Sequence, residues 1–333
     1  MRVVFSFVAV ILLILAAWIG VESAGLGYLF GIIIPYVAIV AFLVGVIYRV
    51  LKWARSPVPF RIPTTCGQQK SLPWIKSSKL DCPHTTLGVI GRMALEVLFF
   101  RSLFRNTKLD LKDGPKLVYG ATKLLWFGGL MFHWSFLIIF VRHFKFFAEP
   151  IPYWVLGLQN FDGIFQVGLP VIYITDILIL AAVTFLFVRR VIDPKLRYIS
   201  LAADYFPLFL IFGIAATGIF MRYFSKVDIV SVKKLAMGLI NFHPVDATVL
   251  SQIGEVFYIH VFLVSVLFMY FPLSKLMHMG GVFMSPTRNL ANNNRMKRHV
   301  NPWDYPVKVH TYEEWEDEFR DVMKAADMPL EKE

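Results

Sequence analysis

Phe132-His133-Trp134-Ser135-Phe136-Leu137-Ile138-Ile139-Phe140-Val141-Arg142-His143 sets two imidazoles in an otherwise strongly apolar run, and a later run carries two more, from Ile259-His260 to Met277-His278. A polar side chain within lipid is costly unless it has a partner. Four histidines on two such helices point to haem iron. Ten residues separate the first pair and eighteen the second, so the members lie roughly 15 and 27 Å apart at about 1.5 Å rise per residue. If the two helices run antiparallel with their centres level, His133 faces His278 and His143 faces His260, each pair offset by about 6 Å. A tilt, or a bend at Pro272, absorbs that offset. The expectation is two bis-histidine sites, one above the other across the bilayer.

The rest of the chain is greasy enough for this setting. Of 333 residues, 57% are hydrophobic and 17% charged, where a soluble chain has about half apolar and about a quarter charged. The net charge of +11 comes with no aromatic-basic recognition motif, so nucleic acid is excluded as a partner and the charge is assigned to membrane topology. The first apolar run, residues 3–19, has one arginine before it and resembles a secretory signal. A second apolar run begins at Leu26, which favours a retained helical hairpin.

Six runs are long enough to cross about 30 Å of hydrocarbon: residues 3–19, 26–48, 117–141, 167–188, 201–220 and 253–271. Lysine and arginine orient them. Thirteen lie in 49–116, four in 189–197 and nine from Lys275 onward, against none in 22–25, two in 142–166 and four in 222–252. Both termini are therefore expected in the cytoplasm, the chain being a multi-pass protein of the cell membrane. Residues 87–103 form a further apolar run, but Arg92, Glu96 and Arg101 are too costly at mid-bilayer, and Leu87, Ile90, Ala94 and Leu98 mark a separate face. This predicts an amphipathic helix on the inner surface. The expected class is an all-α integral membrane protein: six transmembrane helices with a di-haem b four-helix core, plus that interfacial helix.

Four regions follow: an N-terminal two-helix hairpin (1–48), a basic cytoplasmic loop with the interfacial helix (49–116), the di-haem domain (117–280) and a cytoplasmic tail (281–333). The loop is rich in proline and turn formers from Ser56-Pro57-Val58-Pro59 to Trp74. In the tail, Thr311 and Glu314 predict a capping box that opens a short helix with Trp315 and Phe319 on one face.

Gly128-Gly129, one turn before His133, and Gly280-Gly281, just after His278, permit close approach to a large planar ligand; ordinary tight helix packing accounts for them equally. The remaining histidines read differently: His243, beside Pro244 and Asp246, as a solvated turn, and His299 and His310 as surface. Cys66 with Cys82-Pro83-His84 lacks the paired C-x-x-C spacing of a structural zinc site. With both in a cytoplasmic segment, Cys66 and Cys82 are expected as thiols. No C-x-x-C-H occurs, which excludes covalently attached c-type haem. Met277 and Met279 flank His278 but point away from its face.

The order of two histidines ten apart, two intervening spans and two histidines eighteen apart resembles the cytochrome b gamma subunit of respiratory nitrate reductase, over about residues 117–280. The chain departs from that subunit in its extra N-terminal span, the cysteine-bearing loop and the amphipathic helix. With Thr64-Thr65-Cys66-Gly67-Gln68-Gln69-Lys70-Ser71-Leu72-Pro73-Trp74 and Ser285-Pro286-Thr287-Arg288-Asn289-Leu290-Ala291-Asn292-Asn293-Asn294-Arg295, it looks like the cytochrome b-like membrane subunit of the Dsr complex, also called the Hdr-like menaquinol oxidoreductase, across nearly its whole length.

That resemblance implies menaquinol oxidation and electron transfer through two non-covalent b haems to a cytoplasmic iron–sulfur subunit like the catalytic subunit of heterodisulfide reductase. The setting it implies is dissimilatory sulfur and sulfate respiration, within a complex holding further membrane and extracytoplasmic subunits. The ligands would be His133 and His278 for the inner haem iron and His143 and His260 for the outer. Quinol would bind near the outer pair, with Arg142, Lys145 or Asp162 to orient it or accept protons; Arg142 and Lys145 read equally as interfacial anchors that snorkel outward. No catalytic residue beyond these is assigned, and the reverse reaction, quinone reduction, would use the same path. The competing reading is a haem-free membrane anchor or transporter holding a cytoplasmic enzyme, against which no symmetric pair of broken helices is visible.

Overall fold

The computed structural model describes residues 1–58, 67–165, 171–296 and 308–332. Residues 59–66 of the proline-rich strip, Cys66 among them, His299 and the first residues of the 167–188 run lie outside them.

The described chain is mostly helical. Helix α1 (Arg2–Glu22) has no charge between its ends, and α2 (Ile34–Ala54) is entered through a π turn at Leu29–Ile33. Next come α3 (Thr86–Phe99), α4 (Arg101–Arg105) and an antiparallel hairpin of β1 (Thr107–Lys112) and β2 (Lys116–Ala121). Helices α5 (Lys123–Arg142) and α6 (Tyr153–Asp162) are followed by the short strands β3 (Gly163–Phe165) and β4 (Ile172–Tyr173), then α7 (Ile174–Ile192), α8 (Pro194–Ile199) and α9 (Ala202–Tyr223). Helices α10 (Ile229–Ile240) and α11 (Ala247–Ser251) lead to α12 (Glu255–Tyr270), and α13 (His278–Gly281), α14 (Pro286–Asn289) and α15 (Tyr312–Ala325) complete the chain.

Among the described residues, five helical segments are long and apolar enough to cross a membrane: Arg2–Glu22, Leu29–Ala54, Lys123–Phe146, Ala202–Tyr223 and Glu255–Leu273. The chain is a multi-pass membrane protein. Helix α7 has comparable length but carries Asp176, Arg189 and Arg190 near its ends.

Met1–Ser56 and Met93–Ser285 form one compact unit, and Pro57–Arg92 with Pro286–Glu333 a second. In the first, α5 packs on α7, α7 on α9, α9 on α12 and α1, and α12 on α2. Leu210, Leu263, Val10, Phe30 and Tyr258 fill the larger core, and Ile179, Val183 and Ile211 the smaller one under α5. Outward-facing Val4, Phe5, Val40, Val44 and Leu137 stay exposed, which costs nothing where the solvent is hydrocarbon.

Polar contacts mark one end of the bundle. Arg2 Nη1 donates to the Ser200 carbonyl at 2.8 Å, Lys275 Nζ pairs with Asp204 at 2.7 Å, and Lys195 Nζ pairs with Asp110 of β1 at 2.6 Å. The chain start, the α7–α9 connection, the hairpin and the end of α12 therefore share one face.

Three expectations change. The run at 117–141 begins as a strand, not a helix: Leu109 and Leu111 face Tyr119 and Leu117 across an Asp113-Gly114-Pro115 turn, with Gly114 at φ +84°, and α5 starts only at Lys123. The helix expected at 87–103 breaks at Phe100, whose φ of +50° is left-handed. The indoles of Trp126 and Trp134 take the Phe99 and Leu98 carbonyls at 2.7 and 3.0 Å, satisfying groups that a helix end leaves open. The second histidine run is not one helix either. It leaves α12 at Tyr270, passes through a 3-10 turn holding Pro272, is extended at Ser274 and re-enters helical conformation before His278.

In the second unit, the Asn292 amide donates to the Pro83 carbonyl at 2.7 Å, and its side-chain nitrogen lies 3.7 Å from Sγ of buried Cys82. Helix α15 opens with the expected capping box of Thr311 and Glu314, and Tyr312, Trp315 and Phe319 stack along one side with ring centres 5.8 and 5.7 Å apart.

Candidate functional site

His133 projects from the middle of α5, and His143 forms its C-cap, where the helix tightens into a 3-10 turn. His260 lies on α12, and His278 begins α13 beyond the break. The break absorbs the length mismatch, and the four rings meet as two pairs. His133 and His278 have ring centres 5.9 Å apart, and His143 and His260 6.4 Å apart. Two imidazoles bound to one metal through bonds of about 2 Å, with each ring centre about 1 Å behind its nitrogen, stand about 6 Å apart. Both pairs fit that span and exceed face-to-face contact.

The hydrogen bonds fix which nitrogen is offered. Nδ1 of His133 reaches the Gly129 carbonyl at 2.7 Å, Nδ1 of His143 the Ile139 carbonyl at 2.7 Å, and Nδ1 of His278 the Lys275 carbonyl at 2.9 Å. Facing a carbonyl, Nδ1 must carry the proton, which leaves the Nε2 lone pair for a metal. The fourth, His260, has Nδ1 3.0 Å from the Thr217 hydroxyl. Metal-binding histidines are held by such a bond on the other nitrogen. No hydrogen bond to any of the four Nε2 atoms occurs among the described residues. Among the described residues α5 packs far less on α12 than on α7, and His133, His143 and His278 are exposed. Polar rings left open there fit a large prosthetic group between them and fit lipid badly.

The glycines divide. A Cβ on Gly128 would stand 2.4 Å from the Phe185 ring, so Gly128 serves tight packing of α5 on α7. Gly280 and Gly281 lie against Trp53.

A buried ionic cluster adjoins the His143–His260 pair. Arg142 is 6% exposed, with Nη2 2.7 Å from Asp176 Oδ1 and Nε 3.3 Å from Asp162 Oδ2. Asp162 also accepts from the Thr175 amide at 3.0 Å and its hydroxyl at 2.6 Å, and Tyr223 donates to Asp176 Oδ2 at 3.0 Å. The Tyr173 ring lies between two guanidinium groups, 3.7 Å from Arg142 and 4.1 Å from Arg222. Arg142 is thus no outward-snorkelling anchor. It ties the ends of α5, α6, α7 and α9 together beside His143. Lys145 stands apart, half-buried, with Nζ 3.4 Å from Gln159 Oε1. Sequence alone does not single out Asp176, Arg222 and Tyr223, because charged and aromatic residues are ordinary at the ends of spans.

Among the described residues, no group of three or more His, Cys, Asp or Glu side chains forms a metal-binding cluster, which leaves the paired imidazoles. His243 is exposed in a turn, its Nδ1 on the Asn241 carbonyl, and His310 is exposed.

The nitrate reductase gamma subunit family matches residues 97–299, the stretch that holds both pairs. The chain belongs to the nitrate reductase gamma subunit family. Within it, the chain is 45% identical over 285 residues to the Hdr-like menaquinol oxidoreductase cytochrome b-like subunit of Archaeoglobus fulgidus, covering 84% of each chain. It is 41% identical over 275 residues to the subunit of the same description from Archaeoglobus profundus, covering 81% of each. Both matches extend well beyond the four-histidine region.

Proposed function

We propose that this gamma-family chain is a menaquinol-oxidising membrane cytochrome subunit, in which His133 and His278 hold an inner b haem and His143 and His260 an outer one. The observation that carries this is the pairing of the imidazoles at metal-bridging separation with every Nδ1 already engaged. His133 with His278 and His143 with His260 would each hold a haem, which would supply one-electron transfer between the membrane faces. The relatives' description as menaquinol oxidoreductase subunits supports the substrate.

Lys145, half-buried beside His143, is the cation placed to orient a quinol oxygen, and the Arg142–Asp162 pair forms a wall of the same region. Protons from quinol leave on that side. Electrons pass to a cytoplasmic iron–sulfur subunit resembling the heterodisulfide reductase catalytic subunit, docked on the face that gathers Arg2, Lys195 and Lys275. In this arrangement α7 is the sixth span, both termini are cytoplasmic in the cell membrane, and the complex serves sulfate respiration.

The test is haem quantification and a potentiometric optical titration of the purified chain. Two b haems per chain, reduced by a menaquinol analogue, are expected. Protein without a Soret band, or haem that the quinol leaves oxidised, would remove the assignment in favour of an anchor.

A further inference from the structure

The four imidazoles are not supported alike. Three donate to backbone carbonyls alone, which no substitution removes, while His260, beside the Ile214 carbonyl, is the one of the four that also has a side-chain partner, on a helix that carries no ligand. We propose that Thr217 is a positioning residue that fixes the tautomer of His260 and sets the potential of the outer iron; the second half rests on the haem ligation proposed above.

The hydroxyl proton decides the direction of the bond. Thr217 Oγ1 lies 2.8 Å from the Gly213 carbonyl and 3.0 Å from the Ile214 carbonyl, the back-bonding that a threonine makes inside a helix. A hydroxyl has one proton, and here it is directed to the preceding turn. Towards His260, Oγ1 presents a lone pair, so Nδ1 donates and Nε2 is left unprotonated. The next residue seats the ring: a Cβ at Gly218 would come 3.3 Å from His260 Cε1. The Thr217-Gly218 step of α9 is thus shaped to the imidazole, with an acceptor for one edge and open room for the other.

A hydrogen bond on the far nitrogen makes the ligating nitrogen more basic. Greater basicity favours the oxidised iron, so Thr217 holds the outer potential down. Thr217→Val keeps shape and removes the hydroxyl acceptor, leaving only the Ile214 carbonyl on that edge. In the full-length protein with both haems bound, a redox titration should show the outer potential raised by about tenfold in the equilibrium constant, about 59 mV for one electron, with the inner potential unmoved and Thr217→Ser restoring the value. Loss of the outer haem alone in the valine variant, with serine retaining both, supports the assignment equally, because a ring protonated on Nε2 cannot bind metal. A valine variant with two haems at unaltered potentials overturns it. Nitrogen NMR of histidine-labelled apoprotein reads the tautomer without haem: a proton on Nε2 of His260 overturns the hydrogen-bond assignment, whereas absence of haem from the unaltered chain overturns the ligation and leaves that assignment standing.

Discussion

Arg142 Nη2 lies 2.7 Å from Asp176 Oδ1, both side chains being buried, one residue before the outer histidine. The same guanidinium approaches Asp162, so its removal strands two carboxylates away from water. Breaking a buried pair from one side costs about 3–5 kcal/mol. Arg142→Ala should lower the melting temperature markedly and release the outer haem first, as read by haem absorbance during a thermal ramp. Arg142→Lys should recover only part, because a lysine has no planar fork to serve both acids. An alanine variant that melts like the unaltered protein contradicts the cluster's role.

The two imidazole pairs differ in twist. The planes of His143 and His260 are 10° apart and those of His133 and His278 83° apart. Parallel and perpendicular axial rings give iron different magnetic anisotropy, so the oxidised protein should show two distinct low-spin electron paramagnetic resonance signals. His133→Ala or His278→Ala should erase the more anisotropic one, and His143→Ala or His260→Ala the other. A single signal that fades in equal measure in all four variants would count against two separate sites.

Gly45 of α2 supports the break before His278. A Cβ there would meet Pro272 Cβ and Cγ at 2.7 Å, and overpacking of this kind costs about 1–3 kcal/mol. Gly45→Ala should weaken inner haem retention while sparing the outer, measured by competitive haem transfer to an apoprotein acceptor. Equal loss from both sites would show that α2 does not set the position of His278.

Glu316 gives the tail a pH response. The Glu331 backbone amide at 2.7 Å, then the Lys332 amide at 3.2 Å and Arg320, hold its carboxyl below the usual carboxylate range. A carboxylate lowered on folding contributes stability above its unfolded pKa and loses it as pH falls through the folded value. Hydrogen-exchange protection of the Glu331 and Lys332 amides should therefore hold from neutral pH down to the ordinary carboxylate range and collapse below it, whereas Glu316→Gln should flatten the profile. Protection that rises on acidification would refute the sign.

Much of this architecture was legible because lipid makes hydrophobicity a blunt signal: the long spans and the histidine pairs followed from run length and from imidazoles with nowhere polar to go. The capping box at Thr311 was local chemistry and equally readable. The hairpin was missed although Asp113-Gly114 between alternating Leu109, Leu111, Leu117 and Tyr119 is a turn signal, since its apolar residues merged with the following span. The break at Phe100 could not be foreseen, as it depends on the indoles of Trp126 and Trp134 taking distant carbonyls. Thr217 was hidden too: a threonine in a span is ordinary until the fold sets an imidazole beside it.

The turn at Pro272 and Ser274 separates the helix that carries His260 from the short helix that His278 begins. Movement at the Lys275–Asp204 end then reaches His278 without levering His260. An event at that end of the bundle acquires a handle on one imidazole pair, leaving the other in register.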